Sequence, residues 1–371
     1  MIATGALLLG GCATYPPDRV GDCATASPRI AIDPQSGEAS TEVSVLTYNV
    51  EGLPWPARRN RGPRLREIGR HFAEMRKEGR APDIVLLQEV FTTDAGRMTE
   101  RSGYASRIRG PGRSARRPPT SESADPALVG RRKMLKGERL IRLFSSGLYV
   151  LTDFAVTDAT GQPFRRRECA GFDCLANKGV QHVRVQLPGV PQPLELFNTH
   201  LNSGASSRVR PERSLMAHSL QIEDTARFIQ QQRNPDFPMI YGGDLNMRHN
   251  DARFVHFSEV VPYTLVHEYC ALLSPDCDVR LSWDGDLPWM DTQDLQGFHD
   301  GSLVTVRPVR VEALFEEPWR GAALADHDGF LVVYRLSWPA SAAVPADAVP
   351  RCPAGTQRLT GGAPALGNGA K

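Results

Sequence analysis

Acids, amides and imidazoles sit where the hydrophobic runs of this chain stop. The run Met239-Ile240-Tyr241 reaches Gly242-Gly243 and then presents Asp244 and Asn246, two positions apart. In extended backbone, side chains at i and i+2 point the same way, so a carboxylate and a carboxamide would face one ligand together. The glycines would let the chain bend just before them. A Gly-Asp pair is also an ordinary turn, and only the company of similar strand ends elsewhere in the chain separates the two. The same grammar recurs at Leu46-Thr47-Tyr48-Asn49, at Ile84 to Glu89, at Leu196 to Asn202 through His200, and at Ala325-Asp326-His327-Asp328.

Carboxylate and carboxamide oxygens suit hard cations such as magnesium, which is held by one or two carboxylates and keeps its other positions for water and phosphate. Glu89, after an apolar run, with Asn49 beside it, fits that pattern; manganese or calcium would suit the same donors. A surface acid at a strand end is the plainer alternative. His327, flanked by Asp326, has the make-up of a general base on water, and His200 and Asn202 would share a cleft. Together these groups suit water attacking a phosphodiester beside a metal ion. Nothing matches a nucleophilic serine elbow, a P-loop lysine motif or a dinucleotide glycine fingerprint.

The elements that would position these groups follow from periodicity. Strands are expected at Glu42–Val50, Ile84–Leu87, 147–152, Gly179–Gln186, Leu194–Thr199, 239–243, Leu303–Leu314 and Phe330–Leu336. Leu65–Lys77 and Ser214–Gln231 carry helical stripes. Residues 250–300 read as irregular. Many strands with interspersed helices, and polar clusters at strand ends, suggest two packed sheets flanked by helices with one active rim.

At 371 residues, 41% hydrophobic and 23% charged, the chain is long enough for a large globular domain, and a net charge of +2 neither favours nor excludes a polyanionic partner. Basic residues crowd positions 105–142, either as a solvated loop or as a flap over the site that meets phosphate or anionic lipid. Residues 1–12 read as a lipoprotein-type signal: a short apolar run, then Leu9-Gly10-Gly11-Cys12, although no Lys or Arg precedes it. That makes Cys12 a lipidated anchor of an exported, cell-envelope protein, facing the periplasm or in the outer membrane. Residues 13–40 would be a tether, 41–338 the catalytic domain, and 339–371 an Ala/Pro/Gly-rich tail. Beyond Cys12 six cysteines remain, an even number. They are read as Cys169–Cys174, Cys270–Cys277 and Cys23–Cys352 disulfides, against the alternative of buried thiols.

These motifs, in this order, resemble the endonuclease/exonuclease/phosphatase superfamily: Tyr48-Asn49, Leu87-Gln88-Glu89-Val90, Thr199-His200, Gly243-Asp244-Leu245-Asn246 and Asp326-His327. Within it the chain is most similar to the sphingomyelinase C branch through Asn49 to Pro54, Glu89-Val90-Phe91, Ser145 to Leu148 and Asp173 to Val180. The resemblance implies a DNase I-like, four-layer αββα sandwich of two mixed sheets and magnesium-dependent phosphoester hydrolysis. It implies Glu89 and Asn49 at the metal, and His327 as base with Asp326 as neighbour and Asp294 in support. Asp244 would orient the attack, Asn246 and His200 would serve the phosphate and leaving group, and Asn202 and Lys178 would lie at the substrate. Asn202 stands where sphingomyelinases tend to have Gln, and only Trp283 and Trp289 suggest membrane-inserting aromatics. The expected substrate is a phospholipid head group, with no obligate protein partner. An exported endonuclease of the same fold and a catalytically silent surface-binding protein are the alternatives.

Overall fold

The computed structural model describes residues 16, 18–117, 134–138, 141–274, 276–282, 290 and 292–352. Cys12 and the segment before it, the basic residues at 131–133 and 139, Trp283, Trp289 and the tail beyond 352 lie outside the described residues. Two mixed sheets face each other. The first runs β11 (Asp278–Arg280), β13 (Thr305–Leu314), β14 (Gly329–Pro339), β2 (Glu38–Asn49), β3 (Ile84–Gln88), β5 (Tyr149–Thr152) and β4 (Ser106–Arg109), with β1 (Ala31–Asp33) paired to β2. The second runs β10 (Thr264–Leu265), β12 (Leu295–His299), β9 (Met239–Asp244), β8 (Leu194–His200), β7 (Gly179–Gln186) and β6 (Ala155–Pro163).

Strand periodicity decides which face each residue serves. Along β2, Val43 and Val45 point into the space between the sheets, where Ile84, Leu86, Val150, Val183, Leu196, Ile240 and Phe298 meet them. Leu46 and Tyr48 point the other way, onto Leu65, Ile68 and Phe72 of helix α1 (Arg61–Lys77) and Met98 of α2 (Thr93–Arg101). On the far side, Phe197, Met239 and Tyr241 pack under Ile222 and Ile229 of α3 (Pro211–Gln232) and Phe257 of α4 (Asp251–Val260). The result is the expected four-layer sandwich. Each fully buried Leu, Ile or Phe contributes about 1.5–3 kcal/mol.

Pairing direction then gathers the polar strand ends. β2 and β3 are parallel with Asn49 opposite Gln88, and β8 and β9 are parallel with His200 opposite Asp244. β14 and β12 run antiparallel to their neighbours, Phe330 opposite Thr47 and Leu295 opposite Gly243. The residues just before them, His327 and Asp294, therefore arrive at the rim where β2 and β9 finish.

Several expectations change. Residues 250–300 are not irregular throughout: Asn250 caps α4 by accepting the Arg253 N–H at 3.2 Å, and β12 follows. That helix buries only Arg253 and Phe257, so its sequence carries little apolar stripe. The tether is partly structured, with β1 laid on β2 and Arg19 bridged to Arg107. The three expected disulfides are present, Cys23–Cys352 tying both ends of the domain together. The basic stretch begins as strand β4, and some of its cations are used inside the fold: Arg117 pairs with Asp224, and buried Arg142 donates to the Phe164 carbonyl at 3.0 Å.

Gly242 and Gly243 do not bend the chain; both lie inside β9. They allow close approach instead. A Cβ on Gly242 would meet Thr47 Oγ1 of the opposite sheet at 2.7 Å, and one on Gly243 would stand 1.9 Å from the Thr199 carbonyl oxygen. Gly243→Ala must therefore push β8 from β9 at the strand end that carries the site. The expected loss is about 2–4 kcal/mol, comparable to severe overpacking combined with backbone strain. Urea unfolding should show a lower midpoint with an unchanged slope.

Candidate active site

The rim is built around Asp244. Its carboxylate is buried and meets donors from several strands. Asn49 Nδ2 donates to Oδ2 at 3.0 Å, and the Asn246 N–H donates to Oδ1 at 3.1 Å. His200 Nε2 lies 3.3 Å away and His327 Nε2 3.8 Å away. Burial pushes the Asp244 carboxyl up, but the two histidines and Lys178 outweigh it and hold the group well below the usual carboxylate range.

His327 is oriented by Asp294. Its Nδ1 is 2.9 Å from Asp294 Oδ1, while Asp294 Oδ2 accepts the Asn49 backbone N–H at 2.8 Å. The tautomer follows: Nδ1 carries hydrogen toward the carboxylate and Nε2 faces the cleft. Burial lowers the affinity of this ring for protons, yet Asp294 and Asp244 reverse that and raise it to about 10. Asp294 itself is raised, by burial above all.

Asp326, expected beside the base, turns elsewhere. Its Oδ2 takes Arg58 Nη2 at 2.9 Å, and Arg58 also pairs with Glu51. Asp326 and His327 lie in a bend ahead of β14, where their side chains part to different partners, so the neighbour in sequence is not the one that orients the ring. Asn202 is likewise corrected from a cleft residue to a brace: its Oδ1 accepts the Ala170 N–H at 2.9 Å and its Nδ2 donates to the Ser203 carbonyl at 2.9 Å. The i, i+2 rule fails there because β8 ends at His200.

Lys178, just before β7, is buried and places Nζ 2.9 Å from His200 Nε2 and 3.0 Å from the Leu201 carbonyl. Its counter-ion is Asp173, which the sequence reading left without a role. Burial raises Asp173, but the charge and hydrogen bond of Lys178 win and hold it low. The signal was an acid five residues before a lysine, a spacing that fits neither helix nor strand. Asn246 Nδ2 donates to the Leu201 carbonyl at 3.2 Å, and its second N–H has no partner among the described residues.

Glu89 stands apart in its bonding. It follows β3 in the left-handed region (φ 58), as Asn246 follows β9 (φ 49), a conformation that costs a residue with a Cβ about 1–2 kcal/mol. Burial raises its carboxyl, while His200 and Lys178 pull it down and Asp326 and Asp244 push it up. No hydrogen bond or ion pair to this carboxylate is found among the described residues. Asp244, Asp294 and His327 offer ligand atoms within 4.8 Å of one another, close enough for an ion. Asp294 and His327 are already hydrogen-bonded together, so among the described residues of the rim the carboxylate without a directly bonded partner is Glu89.

An αββα sandwich with such a rim defines the DNase I-like class of fold. Residues 46–300 match the Endonuclease/Exonuclease/phosphatase family, and the chain belongs to it. A sphingomyelinase of Mycobacterium bovis is 25% identical over 226 residues, 60% of this chain and 38% of that protein, so the match spans well under half of the relative's length. Among solved structures, sphingomyelinase C from Streptomyces griseocarneus superposes with a TM-score of 0.55 at 18% identity, over 79% of this chain and 99% of that one. Beta toxin from Staphylococcus aureus with bound magnesium ions gives 0.54 at 15% over 79% and 99%. D. rerio TDP2 with a single-strand DNA product gives 0.52 at 16% over 79% and 98%. These likenesses establish the fold.

The elevated His327 has a measurable sign. A group whose folded pKa is raised lends stability fully below its unfolded value, near 6.5, and loses it as pH climbs through about 10. Chelator-treated protein should therefore lose melting temperature across that window, and His327→Gln should flatten the slope. Imidazole NMR should find His327 still protonated at pH 8, and Asp294→Asn should lower its titration midpoint.

Proposed function

We propose that this protein is a divalent-metal-dependent phosphodiesterase, sphingomyelinase-like, acting on phospholipid head groups at the cell envelope. The observation that carries the hydrolytic reading is a histidine held by a buried carboxylate, its free nitrogen facing Asp244, with Glu89, lacking a directly bonded partner among the described residues, on the same rim. Sequence similarity to a sphingomyelinase favours lipid over nucleic acid. The pairing of all six cysteines beyond Cys12 favours an oxidising compartment, and with it export and the Cys12 anchor.

Glu89 would hold the ion, assisted by Asn49 Oδ1, which accepts the Glu51 N–H at 3.1 Å and keeps a second acceptor position. The donor set is oxygen only, as magnesium prefers. A bound divalent cation supplies charge neutralisation at the non-bridging phosphate oxygens. His327 Nε2 takes the proton of the attacking water, a role open to the neutral ring; positive charge brought to this acidic pocket favours that form. Asp294 fixes the ring through Nδ1 and stabilises the imidazolium that forms. Asn246 offers its remaining N–H to a phosphate oxygen. Lys178 and His200 face the same region and stabilise charge on the departing oxygen.

Parallel assays on sphingomyelin, phosphatidylcholine and plasmid DNA, with magnesium and with chelator, test this. Release of choline phosphate that stops on chelation is the expected result; nicked plasmid without choline phosphate overturns the lipid reading in favour of a nuclease. His327→Ala should lower kcat about 10²–10⁴-fold with little change in Tm at neutral pH in magnesium. Glu89→Gln should raise the magnesium concentration needed for half-maximal rate.

A further inference from the structure

Beside the Lys178 edge of the site, the usual arrangement of apolar and charged residues is reversed. In the extended segment 141–144, Ile141 (70% exposed) and Leu143 (44%) face solvent, while Arg142 between them is buried and bonded to the Phe164 carbonyl. The preceding turn, Met134–Lys136, exposes Met134 (58%) and Leu135 (94%). Phe172, 42% exposed, lies on the turn that carries Asp173, with Lys136 Nζ 5.6 Å from its ring centre. A soluble face would place the arginine outside and the aliphatics inside.

This surface is held firmly. Leu143 N–H donates to the Leu175 carbonyl at 2.7 Å. Buried Glu138 accepts the Gly171 N–H at 2.9 Å and is clamped by Arg213 of α3 at 2.8 and 2.7 Å. Segments 134–138 and 141–143 are thereby pinned to the turn whose Asp173 pairs with Lys178. On the other flank Asn177 Nδ2 donates to the Gly112 and Ala115 carbonyls at 2.7 and 3.1 Å. That turn carries the exposed Arg113 and Arg116, with no carboxylate partner among the described residues.

We propose that this apolar and basic face docks the protein on an anionic phospholipid bilayer, with Leu135 and Ile141 entering the interface and Lys136, Arg113 and Arg116 meeting lipid phosphates. Exposed apolar side chains ringed by cations match the two attractions a membrane surface offers, burial of hydrocarbon and a negative potential. The face adjoins the substrate groups, so docking would present head groups to the rim. The inference rests on the lipid reading above for its purpose, but its test does not.

The full chain carrying Cys12→Ser, so that no acyl anchor contributes, is floated with phosphatidylcholine vesicles, with and without phosphatidylserine, and the Leu135→Ser/Ile141→Ser double variant and Lys136→Glu are compared in that background. Binding is expected to require phosphatidylserine and to weaken with salt. The double variant should bind about tenfold or more weakly, and Lys136→Glu several-fold more weakly. Both should keep the wild-type Tm and hydrolyse water-soluble bis-para-nitrophenyl phosphate as the wild type does. A wild-type chain that ignores anionic vesicles, or a double variant that floats equally well, overturns the proposal. So does a concentration-dependent dimer that the double variant abolishes, without vesicle binding, which would assign the face to a second copy. Vesicle binding without hydrolysis of any diester would leave docking intact and remove the hydrolase reading.

Discussion

A carboxylate taken out of water must be met by donors or opposite charge, and Asp244 is where this molecule meets that condition. Its partners come from the end of β2 (Asn49), the end of β8 (His200), its own loop (Asn246) and the approach to β14 (His327). An isolated buried anion would cost several kcal/mol. Both sheets must therefore end at the same height and remain in register for Asp244 to stay ionised. The site is thus part of what specifies the packing of the two sheets, as well as a product of it.

Parallel pairing is the device that makes this possible. Had β3 run antiparallel to β2, Glu89 would have lain at the far end of the sandwich from Asn49. The connection that returns the chain through α1 costs many residues but delivers both oxygen donors to one edge. α3 performs the same return for His200 and Asp244. The apolar runs between the sheets secure this geometry, because a one-residue slip of β2 would turn Val43 and Val45 outward and move Asn49 from Asp244.

Much of this was legible from residue order. The strands ending in Asn49, Glu89, His200 and Asp244 announce themselves as apolar runs closing on polar groups, and period-two and helical stripes locate both sheets and the two long helices. What escaped depended on contacts across the sequence. Asp326 is next to His327 in the chain, yet the orienting carboxylate is Asp294, and only the antiparallel β9–β12 pairing brings it there. Asn202 shows the inverse failure, since alternation applies only while the strand lasts. The glycines before Asp244 suggested a bend because a sequence displays flexibility, whereas crowding against Thr199 and Thr47 exists only once neighbouring strands are in place. Helix α4 was invisible because it buries too little apolar surface to leave a stripe.

The distribution of charge on the rim explains why its acids do not have equivalent roles. Asp173 is neutralised by Lys178, and Asp294 and Asp244 share His327 and His200 between them. These pairings hold Asp173 and Asp244 low and His327 high, so each acid is satisfied by a proton-bearing or cationic side chain already in the fold. Glu89 is the remainder: its shift comes chiefly from burial, and no side chain among the described residues closes on it. In such a pocket, added positive charge near Glu89 and proton loss from His327 favour each other, because both relieve the same electrostatic imbalance. Under the proposed function, the residue that would take a cation and the residue that would act as base both feel the charge of Asp244, which raises the Glu89 carboxyl and holds the proton on His327.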